Sequence, residues 1–247
     1  MRQLKIIRLT THKMLRNLHT FVRWGLLAAA TGLVIGGFST LFAASLRFVT
    51  DFRTERPWMI FFLPLAGIFI VFLYGLFQYK NDKGTNMVLS TIHAETELPF
   101  KMAPLIFIST VITHLFGGSA GREGAALQLG GSIGNQLGRW FRLDDRDRRI
   151  LVMCGMSAAF SAIFGTPIAA VVFAMEVVSV GVMYYAALVP CVFASLISFK
   201  VANHMGIGPN VFHLLGVPSF QLLPSIKVIV LAMLCAGLSV LFCIILH

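Results

Sequence analysis

Arg122 and Glu123 stand side by side between Gly121 and Gly124, within HLFGGSAGREGAALQLGGSIG, residues 114–134. Of the ten acidic residues, eight fall in stretches that read as loops or turns; only Glu123 and Glu176 are embedded in apolar sequence. A carboxylate in apolar surroundings is costly unless it is paired, hydrated or protonated, so its presence marks a functional candidate. The pattern places Glu123 at the start of a helix, where free backbone N–H groups and the helix dipole favour negative charge. Its carboxylate is therefore expected to occupy a place that a mobile anion would otherwise fill, as a gate that competes with its own substrate. The flanking glycines let backbone amides approach an ion without side-chain obstruction. The plainer alternative is an Arg–Glu ion pair that ties two helix ends together.

A catalytic reading competes for the same stretch. Gly117-Gly118-Ser119-Ala120-Gly121 fits G-x-S-x-G, the pattern of a serine hydrolase nucleophile. That chemistry needs a strand before the serine and a histidine base. Here an apolar helix precedes Ser119, and His114, His204 and His213 are loose candidates for the base. The four cysteines (Cys154, Cys191, Cys235 and Cys243) lie in apolar segments without CxxC or Cys/His spacing, so no metal, cofactor or disulfide framework is implied.

The elements that must position these residues follow from composition. Of 247 residues, 57% are hydrophobic and 12% charged, about half the charged fraction of a soluble domain. Crossing a bilayer takes about 20 apolar residues, and stretches near 21–50, 57–79, 102–118, 150–178, 180–202 and 223–246 supply them. The fold class is an all-α polytopic membrane protein. The net charge of +10 does not point to nucleic acid. Arg2, Lys5, Arg8, Lys13 and Arg16 precede the first span, the pattern that holds a terminus in the cytoplasm against anionic lipid. With Leu4, Ile7, Leu15 and Leu18 interleaved, residues 1–19 form an amphipathic segment suited to the membrane surface. Gly32, Gly36 and Gly37 in the first span allow close helix packing. A short re-entrant helix is expected near 85–93, a second short helix near 123–141, and a helix break at Gly165-Thr166-Pro167. Discontinuous helices of this kind build ion sites in transporters.

Gly121-Arg122-Glu123-Gly124, followed by Gln128, Gly130 and Gly131, resembles the G-R-E-G-P-x-V-Q-x-G-G signature of the CLC family of chloride channels and anion/proton antiporters. Residues 155–176, GMSAAFSAIFGTPIAAVVFAME, are similar to that family's downstream segment. Gly84-Thr85-Asn86-Met87-Val88 falls where the family carries the inner loop G-S-G-I-P. The resemblance covers about residues 20–247. It implies the first inverted-repeat half of a CLC-type fold, with discontinuous and re-entrant helices. It also implies a gating and proton-transferring role for Glu123, and anion contacts from Gly84, Thr85, Asn86 and Met87 on one side and Gly121, Arg122, Gly124 and Ala125 on the other. Partners would be an inorganic anion (chloride or fluoride), protons, the lipid bilayer and a second copy in a homodimer. The setting would be a bacterial plasma membrane.

Three departures bear on the substrate. GTNMV replaces G-S-G-I-P, Ala125 replaces the proline after GREG, and Val177 replaces the second of two glutamates after Glu176. Altered inner loops and the missing glutamate are also features of the family's fluoride-exporting bacterial branch, so fluoride stands beside chloride. The implied organisation is 1–19 as the N-terminal segment, 20–204 as the first repeat, and 205–247 as an external linker with the first helix of a second repeat. That second repeat would supply further anion contacts. A chain stopping at His247 is thus expected to be truncated and inactive alone, its glycine row Gly130, Gly134 and Gly138 facing the missing half. The implied topology puts 51–57, 139–149 and 205–223 outside and 80–101 inside. The five arginines and three aspartates of 139–149 oppose that placement.

Overall fold

The computed structural model describes residues 2–77, 84, 87–88, 98–177, 184–207 and 221–246. Among the described residues every regular element is helical. These are α1 (Arg2–Thr54), a 3-10 turn (Pro57–Phe62), α2 (Leu63–Leu76), α3 (Met102–Leu115), α4 (Arg122–Trp140), α5 (Asp145–Phe164), α6 (Pro167–Glu176), a second 3-10 turn (Tyr185–Ala187), α7 (Leu188–His204) and α8 (Leu222–Leu246). Asn17–Thr54, Pro57–Leu76, Tyr185–His204 and Leu222–Ile245 are long and apolar enough to cross a membrane, and α3 and α6 are shorter apolar helices. The chain is a polytopic all-α membrane protein. It divides into two compact units, Met1–Asn210 and Val211–His247. The second contains α8, whose only charged residue is Lys227.

Local sequence explains where the helices start and stop. Asp144 caps α5, its carboxylate accepting from the Asp147 N–H at 2.8 Å, and Asp145 and Asp147 add negative charge to the first turn. Gly165 ends α5 in the left-handed conformation at φ 70°. Pro167 then opens α6, so the expected break falls at Gly165-Thr166-Pro167. The basic N-terminal segment is not a separate surface helix. It is the start of α1, a single helix of 53 residues, about 80 Å long. No glycine or proline between Arg2 and Trp24 interrupts it.

The core of the first unit is α5, buried from Ile150 to Ala159. On one side lies α4, in backbone contact with it. A Cβ added to Gly130 would fall on the Gly155 carbonyl and 2.7 Å from Ala159 Cβ, and one added to Gly134 would lie 2.6 Å from the Leu151 carbonyl. The row Gly130, Gly134 and Gly138 therefore faces α5 within this chain, not an absent half. On the other side are α1 and α7, where Gly32 and Gly36 admit Ala194 and Ser198, while a Cβ added at Gly37 would meet nothing within 4 Å. Hydroxyls join these helices: Ser161 Oγ donates to the Ser195 carbonyl at 2.9 Å, and Ser198 Oγ to the Ala158 carbonyl at 2.7 Å. Hydrogen bonds of this type help hold helices together where lipid supplies no hydrophobic drive.

Two contacts fix which end of each helix lies where. Arg23 of α1 pairs with Asp147 of α5 at 3.0 Å. Thirty residues on, about 45 Å along α1, the Arg53 side chain lies against Gly117, ahead of α4. The 139–149 turn therefore sits at the N-terminal end of the bundle, and the 116–121 loop at the opposite end. This corrects the expected topology, which placed 139–149 across the membrane from residue 1. The reason is α4 itself. Its 19 residues extend about 28 Å and carry the chain from one end of the bundle to the other. Both basic stretches then share a side, as the charge bias requires.

The glycine contacts predict opposite outcomes at two sites. Gly155→Ala should lower the thermal midpoint in detergent by an amount equivalent to about 1–3 kcal/mol, because the Gly130 backbone carbonyl, which cannot turn aside, lies opposite, with Ile35 Cδ1 also close. Gly37→Ala should be neutral or stabilising by up to about 1 kcal/mol. The topology is tested by single cysteines in sealed vesicles. Cysteines replacing Asn17 and Arg142 should react with an impermeant reagent from the same side, and one replacing Ser119 from the other.

Candidate functional site

The loop between α3 and α4 is built from closely fixed turns. Gly117 adopts φ +82°, a left-handed conformation that favours glycine. The Gly118 N–H closes back on the Thr113 carbonyl at 2.8 Å, and a Cβ at Gly118 would lie 2.6 Å from Thr113 Cγ2. His114 Nε2 stands 3.1 Å from the Ala120 carbonyl. Because a carbonyl only accepts, this nitrogen carries the proton. Arg53 completes the loop's surroundings, its Cδ 3.4 Å from where a Gly117 Cβ would be.

From this loop α4 begins with Gly121 as an extended N-cap that offers no side-chain hydrogen bond to the first turn. Arg122 and Glu123 occupy the first two helical positions. The Glu123 carboxylate folds back over the cap, Oε2 lying 3.1 Å from the point a Gly121 Cβ would occupy. The first turn thus presents backbone N–H groups and the positive end of a helix dipole, with one carboxylate beside them. The expected helix start is found, but the expected burial is not. Gly121, Arg122 and Glu123 are exposed, Gly124 is half-buried, and Ala125 is buried. Glu176, at the end of α6, is also exposed. No described element covers either position. Among the described residues no ion pair joins Arg122 to Glu123; the pairs link Arg23–Asp147, Arg56–Glu55 and Arg148–Asp145.

Ahead of α3, Gly84 takes φ +57° and its carbonyl accepts from the Met87 N–H at 3.0 Å. Thr85 and Asn86 lie outside the described residues. Val88 is fully buried against α4, its Cγ1 2.7 Å from where a Gly131 Cβ would sit. Val88 therefore packs on the helix that Glu123 opens, about 12 Å further along its axis. An apolar groove of about 300 Å³ lies elsewhere, lined by Phe38, Phe107, Ile108, Leu129 and Ile133 among others. It has no polar lining with which to hold an ion.

Several features at this site have little sequence signal. The approach of Arg53 to the loop and the tie from His114 to Ala120 join residues 64 and 6 positions apart. The buried polar residues Gln128, Ser132 and Asn135 have a signal, their spacing at i, i+4 and i+7 in a glycine-rich helix. Ser119 is exposed between two helices, without the strand a hydrolase nucleophile needs, and nothing in the fold supports that chemistry.

Residues 66–247 match the protein family described as "Voltage gated chloride channel". The chain belongs to this family, the CLC family. A chloride/fluoride channel protein of Pseudomonas syringae pv. tomato is 41% identical over 186 residues, 75% of this chain and 41% of the relative. An H(+)/Cl(-) exchange transporter ClcA of Cronobacter sakazakii is 27% identical over 197 residues, 72% of this chain and 42% of the relative. Among solved structures, a CLC-type fluoride/proton antiporter superposes with a TM-score of 0.79 at 34% identity, covering 86% of this chain and 54% of the other. A slow cyanobacterial Cl-/H+ antiporter superposes at 0.65 with 18% identity, which shows the shared fold. This CLC chain thus spans roughly half the length, or somewhat less, of the relatives it matches.

The loop geometry predicts the effect of releasing its histidine. His114→Leu should cost about 1 kcal/mol, as for one lost hydrogen bond, and should speed hydrogen–deuterium exchange at the amides of 116–121. Unchanged exchange there would show that the Ala120 contact does not hold the loop.

Proposed function

We propose that a protein carrying this chain moves a small inorganic anion through the membrane in exchange for protons, with Glu123 as both gate and proton carrier. The observation that carries the reading is the position of the Glu123 carboxylate, folded back at an N-terminus of α4 that has no side-chain cap. A free anion is attracted to the same N–H groups. Protonation removes the carboxylate's charge and its claim on that place, so anion entry and proton uptake become coupled. Gly121, Arg122, Gly124 and Ala125 frame the anion at this end, and Gly84, Thr85, Asn86 and Met87 at the inner one. Further donors come from outside the described residues, on the side where Glu123 is exposed.

Fluoride is the favoured ion. The names of the Pseudomonas relative and of the antiporter at 34% identity both include it. The protein acts as a transporter rather than an enzyme, with 1–19 as an N-terminal segment, 20–204 as a first repeat and 205–247 as a linker and the start of a second. It works in a bacterial plasma membrane as a homodimer in lipid, with the basic N-terminus and the 139–149 turn in the cytoplasm. In proteoliposomes followed with a pH electrode and ion-selective electrodes, Glu123→Gln should abolish proton movement coupled to anion flux. Cells expressing the unaltered protein should tolerate fluoride better than those carrying Glu123→Ala. Unchanged proton coupling would remove Glu123 from its role, and chloride flux without fluoride tolerance would return the substrate to chloride.

A further inference from the structure

Among the described residues Arg142 is the one non-glycine whose backbone takes a positive φ, at 52°. It stands just past the end of α4. There the Leu143 N–H reaches back to the Gly138 carbonyl and the Arg142 N–H to the Arg139 carbonyl, each at 3.0 Å. These two bonds make a Schellman ending, whose left-handed position is most often glycine because a Cβ is strained there. Helices α3 and α7 end in the same pair of bonds, and they carry Gly117 and Gly206 at that position. Only α4 keeps a side chain. The helix dipole favours a cation at this end, but Arg139 already stands in the last turn. A strained position of this kind persists where the side chain has a use.

The surroundings show what that use requires. Each aspartate of the 139–149 turn is engaged: Asp147 pairs with Arg23, Asp145 pairs with Arg148, and the Asp144 carboxylate caps α5. Arg142 is exposed and has no hydrogen-bond or ion-pair partner among the described residues. Arg146, also exposed, donates from Nε to a neutral group, the Tyr184 hydroxyl, at 3.3 Å. Two guanidiniums four residues apart thus lack a paired carboxylate, and the planar guanidinium fork matches a phosphate. Trp140 and Phe141, 68% and 44% exposed, stand immediately before Arg142. Exposed tryptophan beside arginine belongs at the membrane interface, where the ring lies at headgroup level. The Arg23–Asp147 pair sets the turn near the start of the Asn17–Thr54 span, at that same level. Free phosphate gains nothing from the aromatic pair, whereas a phospholipid brings acyl carbons to the rings and a phosphate to the arginines.

We propose that the 140–146 turn is a binding site for an anionic phospholipid. Arg142 and Arg146 hold its phosphate, and Trp140 and Phe141 lie along its glycerol and upper acyl carbons. A zwitterionic lipid carries its own cation, which the arginines repel, so the site selects acidic headgroups. The probe is phosphatidylglycerol brominated in its acyl chains, which quenches tryptophan on contact. In the 247-residue chain with Trp24→Phe and Trp58→Phe, Trp140 is the sole tryptophan. In nanodiscs of mixed phosphatidylglycerol and phosphatidylcholine, brominated phosphatidylglycerol should quench it preferentially. Arg142→Gly should cut that preference about fivefold, the contribution of one arginine near an anionic surface, and Arg146→Gln by a similar factor. Arg142→Gly should at the same time raise the thermal midpoint in phosphatidylcholine alone, because glycine relieves the left-handed strain. A purely structural arginine would instead leave the lipid preference intact. Unchanged preference in both arginine variants would overturn the site, as would equal quenching by the two brominated lipids in the parent chain. Loss of the preference on adding millimolar inorganic phosphate would mark a site for soluble anions and remove the lipid.

Discussion

The contact between Gly130 of α4 and Gly155 of α5 is the constraint on which the rest of this bundle depends. In lipid no hydrophobic force draws two helices together, so close van der Waals contact and interhelical hydrogen bonds must do it. Helix α4 is poorly suited to lipid, because glycines and polar residues make up much of it. It is held in the protein interior because the backbone of α5 comes directly against it. That crossing sets the height of Gly121 and Glu123 above it. It also sets the place of Gly131, against which Val88 packs. A side chain at either crossing glycine would move the Glu123 carboxylate, Val88 and the buried polar residues Gln128, Ser132 and Asn135 together.

Charge orients the bundle more than it stabilises it. The Arg23–Asp147 pair is partly exposed, and pairs of that kind contribute about 0–1 kcal/mol. Its value lies in position, since it joins the start of the first span to the start of the central helix and brings two basic stretches to one membrane face. Within the bundle the polar bonds are mostly neutral, from serine and threonine hydroxyls to carbonyls. Such bonds satisfy buried groups without the desolvation cost of an ion pair. At the start of α4 the helix dipole and the Glu123 carboxylate meet.

The exposure of Glu123 follows from the same division of labour. In the site proposed above, this chain supplies the loop held by His114, the cap at Gly121 and the glycine-lined helix behind it. The front, on the side of Arg122 and Glu123, meets no described element. The relatives of known structure are about twice as long as the segment matched here. In such a protein a carboxylate on an open helix end gains its significance from whatever surface comes to face it.

Much of this was legible in the residues themselves. Apolar stretch lengths gave the helical membrane class, and Gly165-Thr166-Pro167 gave the break between α5 and α6, because left-handed glycine and N-terminal proline act through local backbone geometry. The GREG block gave the start of α4, because an extended glycine N-cap is likewise a local backbone feature. What faces what was not legible. The glycine row of α4 reads as a packing surface, yet its spacing does not name the partner, and only the fold assigns it to α5. The side of the 139–149 turn followed the implied topology against the bias of its five arginines, and the Arg23–Asp147 contact decides for the bias. The Cys154 and Cys191 thiols, 3.9 Å apart, and the unpartnered oxygens of α4 are likewise products of assembly. Local sequence determines where a helix begins and ends, since those energies act over a few residues. Burial, crossing and pairing depend on groups far apart in the chain, and only the tertiary structure decided them.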